Sequence, residues 1–192
     1  MSPGATAKES SNSNPLPQEK RTALRIFWGQ LRGNGRNNWD ADKIKFLKKI
    51  PFFENLRRKQ LEEVATLVYE RDYEENEYIF EVSQPGAALF IVQYGEVSVE
   101  IPRDDEEPTQ LAVVGKHQFV GELALLDEAP RSASARALGK TKVFALFRKD
   151  LDRLSETHPD ITSHIYRALA IIVGNRLKAT NELIDKKLKL VG

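Results

Sequence analysis

The sequence contains no cysteine among its 192 residues. That removes a disulfide scaffold, a thiolate metal site and a cysteine nucleophile together. Histidine is scarce as well, three in the whole chain, which argues against multi-His metal chemistry. Long apolar runs are missing: Ala168-Leu169-Ala170-Ile171-Ile172-Val173 is among the longest, far too short to span a bilayer. The opening MSPGATAKESSNSNPLPQEK lacks the apolar stretch of a secretory signal, so a cytoplasmic location is expected. Charge of one sign is absent too. Lys+Arg 29 against Asp+Glu 28 leaves +1, which gives no bulk electrostatic case for nucleic acid.

What is present is ordinary globular material, 41% hydrophobic and 30% charged. A core of ~150 residues buries roughly 70% of its unfolded surface and needs no staple. The charge is unevenly spread. Residues 1–40 carry six basic and three acidic groups, a net of +3, and the remainder nets −2. The first 18 residues, rich in Ser, Asn, Pro and Gly, read as disordered. Leu24, Phe27, Trp28 and Leu31 then recur at helical spacing, flanked by Arg21, Arg25 and Arg32. Such a basic amphipathic helix docks on its own domain, on a partner groove or on an acidic membrane surface. The glycines and asparagines of 33–38 break the chain, so residues 1–39 are set apart from a domain over 40–192.

In that domain Asp40 or Asp42 is expected to cap a helix that Ile50-Pro51 ends, and Asn55 to cap a second. The period then changes to two. Segments 77–82, 89–94, 96–101, 110–114, 132–137 and 141–147 read as short strands, with Asp104 to Glu107 as a solvated hairpin tip. Helix returns at 149–157 and again from Ile161 to about Leu188. The expected fold class is α+β, mainly β: an antiparallel barrel or jelly roll between N-terminal helices and a C-terminal helical pair. On the last helix Leu169, Val173, Leu177, Thr180, Ile184 and Leu188 form either a coiled-coil seam or a face packed on the domain. Gly174 within it suggests a close crossing or a bend.

One stretch carries chemistry: Phe119-Val120-Gly121-Glu122-Leu123-Ala124-Leu125-Leu126-Asp127-Glu128-Ala129-Pro130-Arg131-Ser132-Ala133-Ser134. A short turn after Gly121 points backbone N–H groups at an incoming anion, and the glycine lets it approach. The Arg131 guanidinium fork matches phosphate oxygens. Glu122 is an acceptor suited to a sugar hydroxyl. Together they suit a sugar phosphate, although a Glu and an Arg nine apart are in most proteins only a surface pair.

The segment resembles the phosphate-binding cassette of the cyclic nucleotide-binding domain family, Phe-Gly-Glu-Leu-Ala-Leu followed by Pro-Arg-Ser/Ala-Ala. Val120 departs from the phenylalanine of that pattern and is closer to the catabolite activator branch. The resemblance extends over residues 40–190, through Phe46 to Leu56 and the glycine-bounded strand pair from Gln84 to Val97, where Ala87 replaces an often acidic position. It implies that Arg131 holds the cyclic phosphate and Glu122 the ribose 2′-hydroxyl, with Gly121 and the backbone of Leu123, Ala124 and Ala133 completing the cradle. Ser132 would add a hydroxyl to the phosphate or to a guanine amino group, so cGMP stays open, while similar bacterial domains with serine here often take cAMP, which is preferred. Thr180 and Asn181 fall where the catabolite activator protein contacts adenine; a solvated helix face explains them equally well.

No nucleophile–base pair is evident, and a metal-binding cupin would need ligands beyond the one histidine of the strand region, His117. The expectation is therefore a non-enzyme without catalytic residues, metal or cofactor, whose ligand is cAMP or cGMP. The long helix would close over the base while Leu125 and Leu126 repack against 149–157, and it would meet a protein partner or a second copy. The sequence stops at Gly192 before a recognition helix would fit, so direct DNA contact is not expected.

Overall fold

The computed structural model describes residues 39–103 and 106–191. The Ser-rich start, the Leu24 to Leu31 stripe, the break at 33–38 and the tip residues 104–105 lie outside them. The described residues belong to one unit, residues 37–192. It opens with helices α1 (Trp39–Leu47) and α2 (Arg58–Leu67). Strands follow: β1 (Val68–Tyr73), β2 (Tyr78–Phe80), β3 (Ala88–Tyr94), β4 (Val97–Arg103), β5 (Glu106–Val114) and β6 (Phe119–Val120). A one-turn helix α3 (Leu123–Leu126) separates these from β7 (Ser134–Ala137) and β8 (Thr141–Phe147). Two helices, α4 (Arg148–Thr157) and α5 (Pro159–Val191), complete it.

The strands form two four-stranded antiparallel sheets, ordered β1-β8-β3-β6 and β2-β7-β4-β5. The expected barrel or jelly roll is thus a jelly-roll-like pair of sheets rather than a closed ring. The first sheet is buried on both faces, which is why β3 and β8 read as nearly unbroken apolar runs. Leu89, Ile91, Phe144 and Leu146 point to the helices and join Leu47, Ile50, Phe52, Phe53, Leu61, Leu151, Ile161, Ile165 and Leu169. Ala88, Phe90, Val92, Val143 and Ala145 point the other way and join Phe80, Val97 and Ala135 between the sheets.

Several boundaries differ from the sequence reading. Helix α1 begins at Trp39, so Asp40 and Asp42 lie within it rather than capping it. It ends at Leu47, and the chain reaches Ile50-Pro51 through tight turns (Lys49 N–H to Phe46 O at 3.0 Å, Ile50 N–H to Leu47 O at 2.9 Å). Those turns aim Ile50, Phe52 and Phe53 into the core, and that burial outweighs another helical turn. Helix α2 is capped at Arg57, not Asn55, because the Gln60 side-chain carbonyl accepts the Arg57 N–H at 2.8 Å. Glu106 and Glu107 belong to β5 rather than to the hairpin tip. Helix α5 runs through Gly174 with nothing within 4 Å of the place a Cβ would take, so no close crossing requires that glycine.

Candidate functional site

A cavity of about 670 Å³ opens between the second sheet, the 119–133 segment and helix α5. Its position follows from local geometry. The chain leaves β6 through Gly121, whose φ of +76° turns it sharply into α3. A Cβ there would stand 2.5 Å from Arg131 Nη1, so the glycine makes room for the guanidinium.

Arg131 is fixed at both ends. Its backbone N–H donates to Gln84 O and its carbonyl accepts from Ser83 N–H, each at 2.8 Å, while Pro85 and Pro130 form an isolated bridge beside them. The side chain is 9% exposed. Nη2 donates to Ala88 O at 2.7 Å and Nη1 to Gly121 O at 3.3 Å. The guanidinium carbon lies 4.1 Å from the centroid of the Phe80 ring. Nε is buried with no partner among the described residues. Burial pulls the Arg131 pKa below its ordinary value, and the Glu122 charge partly restores it. A buried cation with an unused donor has a further hydrogen bond to give to an acceptor.

Glu122 is 8% exposed, and its Oε1 accepts from Nη1 of Arg176 on α5. The Arg176 guanidinium also lies 5.0 Å from the Phe119 ring centroid. A carboxylate has acceptor capacity to spare, so Oε2 remains for a hydroxyl. Arg176 was not among the sequence candidates. The signal was there: it stands four residues before Thr180, on the same face of a helix.

The other candidates divide. Leu123 and Ser132 line the cavity as exposed residues, and Ala133 as a half-buried one. Ala124 also lines it, but its N–H donates to Gly121 O at 3.2 Å and is already used by the turn. Thr180 lines it too, with its hydroxyl turned back to Arg176 O at 2.9 Å. Asn181 is not part of the lining, since consecutive helical residues diverge by about 100°. The structure therefore gathers Gly121, Glu122, Leu123, Ala124, Arg131, Ser132, Ala133 and Thr180 around one cavity and leaves Asn181 aside.

Facing the polar groups are Phe80, Val99, Leu111 and Val113, an apolar wall suited to a flat ring. The segment is held from behind by Arg148 at the start of α4. Its Nη1 donates to Ala124 O at 3.2 Å and to Asp127 O, and its Nη2 to Glu128 Oε1 at 3.1 Å. Leu125 is buried and Leu126 is 40% exposed. His117 stacks on Phe46 with ring centroids 4.6 Å apart, away from the cavity. Burial, aided by Lys49 and Lys116, holds its pKa below the ordinary value. Among the described residues no group of three His, Cys, Asp or Glu is placed to hold a metal ion, and no helix is long and apolar enough to cross a membrane. An anion clamp, a hydroxyl acceptor and an apolar wall are what a nucleotide with a compact phosphate requires.

Residues 70–158 match the model of the cyclic nucleotide-binding domain. Glutaminase 1 of Bradyrhizobium diazoefficiens is 31% identical over 146 residues, 76% of this chain and 23% of that protein. The cyclic AMP receptor protein of Thermus thermophilus is 30% identical over 139 residues, 72% of this chain and 62% of that protein. The chain thus spans less than two thirds of the length of either. A solved N-terminal domain of a transcriptional regulator from Streptomyces coelicolor A3(2) is 31% identical with a TM-score of 0.61; the match covers 74% of this chain and 94% of that one.

Proposed function

Because the chain belongs to the cyclic nucleotide-binding domain family, we propose that its cavity receives a cyclic nucleotide, cAMP in preference to cGMP, and that residues 40–192 act as a receptor rather than a catalyst. The observation that carries this reading is the buried Arg131 guanidinium, with Nε unused beside an open cavity. The cyclic phosphate meets Arg131, the ribose 2′-hydroxyl meets Glu122 Oε2, and the base lies along Val99, Leu111 and Val113 under Thr180. Ser132 at the mouth is the group able to admit a guanine amino group.

Arg176 supplies the link to helix α5. It already holds Glu122, so a ligand that draws Glu122 inward draws the helix with it. Differential affinity for the closed arrangement shifts its population, and that shift is the signal. A second observation favours pairing of two copies along α5: Leu177, Leu183 and Ile184 are 61%, 61% and 51% exposed, an apolar stripe without cover from the described residues. Leu177→Glu should abolish a dimer seen by light scattering, and a wild-type protein monomeric with and without nucleotide would remove this part of the reading. Residues 1–39 are proposed as a separate output segment, and deletion of 1–38 that leaves partner or vesicle capture unchanged would rule that out.

The test of the whole is calorimetric titration with cAMP and with cGMP. Binding of one or both is expected, and Arg131→Ala should weaken it by about 1.5–3 kcal/mol, the worth of a charge-assisted hydrogen bond. No binding of either nucleotide sinks the receptor reading. Binding that survives Arg131→Ala unchanged sinks the clamp.

A further inference from the structure

The two N-terminal helices carry a feature that the nucleotide site does not use. Residues 43–59 hold seven basic side chains (Lys43, Lys45, Lys48, Lys49, Arg57, Arg58, Lys59) against one acidic, Glu54. The whole chain nets only +1, so this short stretch is strongly basic on a domain that is otherwise acidic. Lys43 is committed to structure, its Nζ donating to Ala65 O at 2.6 Å and Val68 O at 3.0 Å. The other six are exposed. Of these, Arg58 pairs with Glu62 at 3.0 Å, and Lys45 and Lys48 have no ion pair among the described residues.

Three of the basic groups, Lys45, Lys48 and Arg58, line a groove. Ala41, Ile44 and Lys45 share one face of α1, at spacings of three and four, Lys48 stands just past its end, and Arg58 and Leu61 line the groove from α2. The groove measures about 290 Å³, room for one or two apolar side chains rather than a second nucleotide. Its floor is apolar at Ile44, Leu61 and Ala41, and its rim is cationic.

From this charge complementarity and this concave floor we infer that the α1–α2 groove docks an acidic segment of a partner protein, which seats an apolar anchor on Ile44 and Leu61 while its carboxylates meet Lys45, Lys48 and Arg58. Two other polyanions fit less well. A membrane would need large apolar side chains standing out from the surface, and none of the exposed ones among the described side chains lies on α1 or α2. A nucleic-acid backbone would use the rim and leave the apolar floor empty.

The experiment uses the full chain and a fluorescein-labelled helical peptide in which one leucine is flanked by glutamates, read by anisotropy at low and physiological salt. Matching probes are the same peptide with serine for leucine, vesicles of phosphatidylcholine and phosphatidylserine, and single-stranded poly(dT). Two variants attack the groove from exposed positions: Lys45→Glu/Lys48→Glu reverses the rim, and Ala41→Trp fills the floor. The leucine peptide should bind, and each variant should weaken it at least about tenfold, a size seen when charge pairs or buried anchors are lost at interfaces. Far-UV circular dichroism and cyclic nucleotide titration of each variant should match the wild type. The inference fails if the leucine peptide does not bind, if the serine peptide binds as tightly, if either variant binds it normally, or if vesicles or poly(dT) are captured in its place. None of these outcomes touches the nucleotide reading, which has its own titration.

Discussion

Gly121→Ala puts one methyl group where the cavity has no space for it. The left-handed backbone at φ +76° costs a residue with a Cβ about 1–2 kcal/mol. The new Cβ would stand 2.5 Å from Arg131 Nη1 and 3.3 Å from both Ala88 O and Phe80 Cε1. The guanidinium has to move, and its hydrogen bond to Ala88 O at 2.7 Å is the contact it would lose. A hydrogen bond to a charged group is worth roughly 1.5–3 kcal/mol, so the total comes to about 2.5–5 kcal/mol of stability. Urea denaturation without nucleotide should report this as a lower midpoint at unchanged slope. Calorimetry should report a weaker nucleotide complex, because the cation would no longer sit where we place the phosphate. Gly115→Ala is the internal control. A Cβ there meets nothing within 4 Å, so it should stay within about 0.5 kcal/mol of wild type. A wild-type urea midpoint for Gly121→Ala would refute the steric argument. A destabilised variant that binds nucleotide as before would refute the assignment of Arg131 to the phosphate.

Arg148→Ala should loosen the cassette from α4, since it deletes the bonds to Ala124 O, Asp127 O and Glu128; affinity should fall about tenfold, and unchanged calorimetry would dismiss the brace. Arg176→Ala should reduce the penalty for 2′-deoxy-cAMP relative to cAMP, with Arg176→Lys intermediate, whereas an unchanged ratio would unlink Arg176 from the sugar site. Glu100 is pushed up by burial, but the hydrogen bonds from Arg136 and Tyr78 and the Arg136 charge prevail and hold it below its ordinary 4.5. Its contribution is therefore present above that value and is lost as pH falls through the lower folded-state pKa; Glu100→Gln should flatten this acid limb of the Tm profile. Burial pushes Tyr73 up to about 12 from 10.0. The unfolded phenol ionises first, so stability declines as pH rises from 10.0 towards about 12, and Tyr73→Phe should remove that alkaline loss.

The sheet class was legible because alternation along 96–101 and the short apolar run along 141–147 are both bounded by turn residues. Two strands were not. In β1, Val68–Tyr73, the run Glu70-Arg71-Asp72 hides the alternation, and the strand exists because it pairs with β8 at the sheet edge. Strand β6 has only two residues and is set by its pairing with Phe90 and Ile91. The candidate clamp could be read from the resemblance of the 119–134 segment, since Gly121, Glu122 and Arg131 all lie within that one short stretch. Its support could not. Phe80 under the guanidinium and Arg176 on Glu122 come from 51 residues before Arg131 and 54 after Glu122, and local pattern holds no record of such distances. Asn181 shows the converse, a residue beside the right one that the helix turns away.

Helix α5 is buried against the core near its start, and beyond that Arg176 ties it to Glu122. Ile161, Ile165 and Leu169 are buried to 1% exposure or less, while Leu177, Leu183 and Ile184 stand out from the surface. If nucleotide binding tilts the helix about Leu169, it would act as a lever. At 1.5 Å per residue, Arg176 lies roughly 10 Å along the arm and the last turn roughly 33 Å. A tilt of about 10° would then shift Arg176 by only ~2 Å and the tip by ~6 Å, by the same rise. A displacement no larger than a side-chain adjustment at one carboxylate would thus arrive at the far end as a step longer than a helical turn.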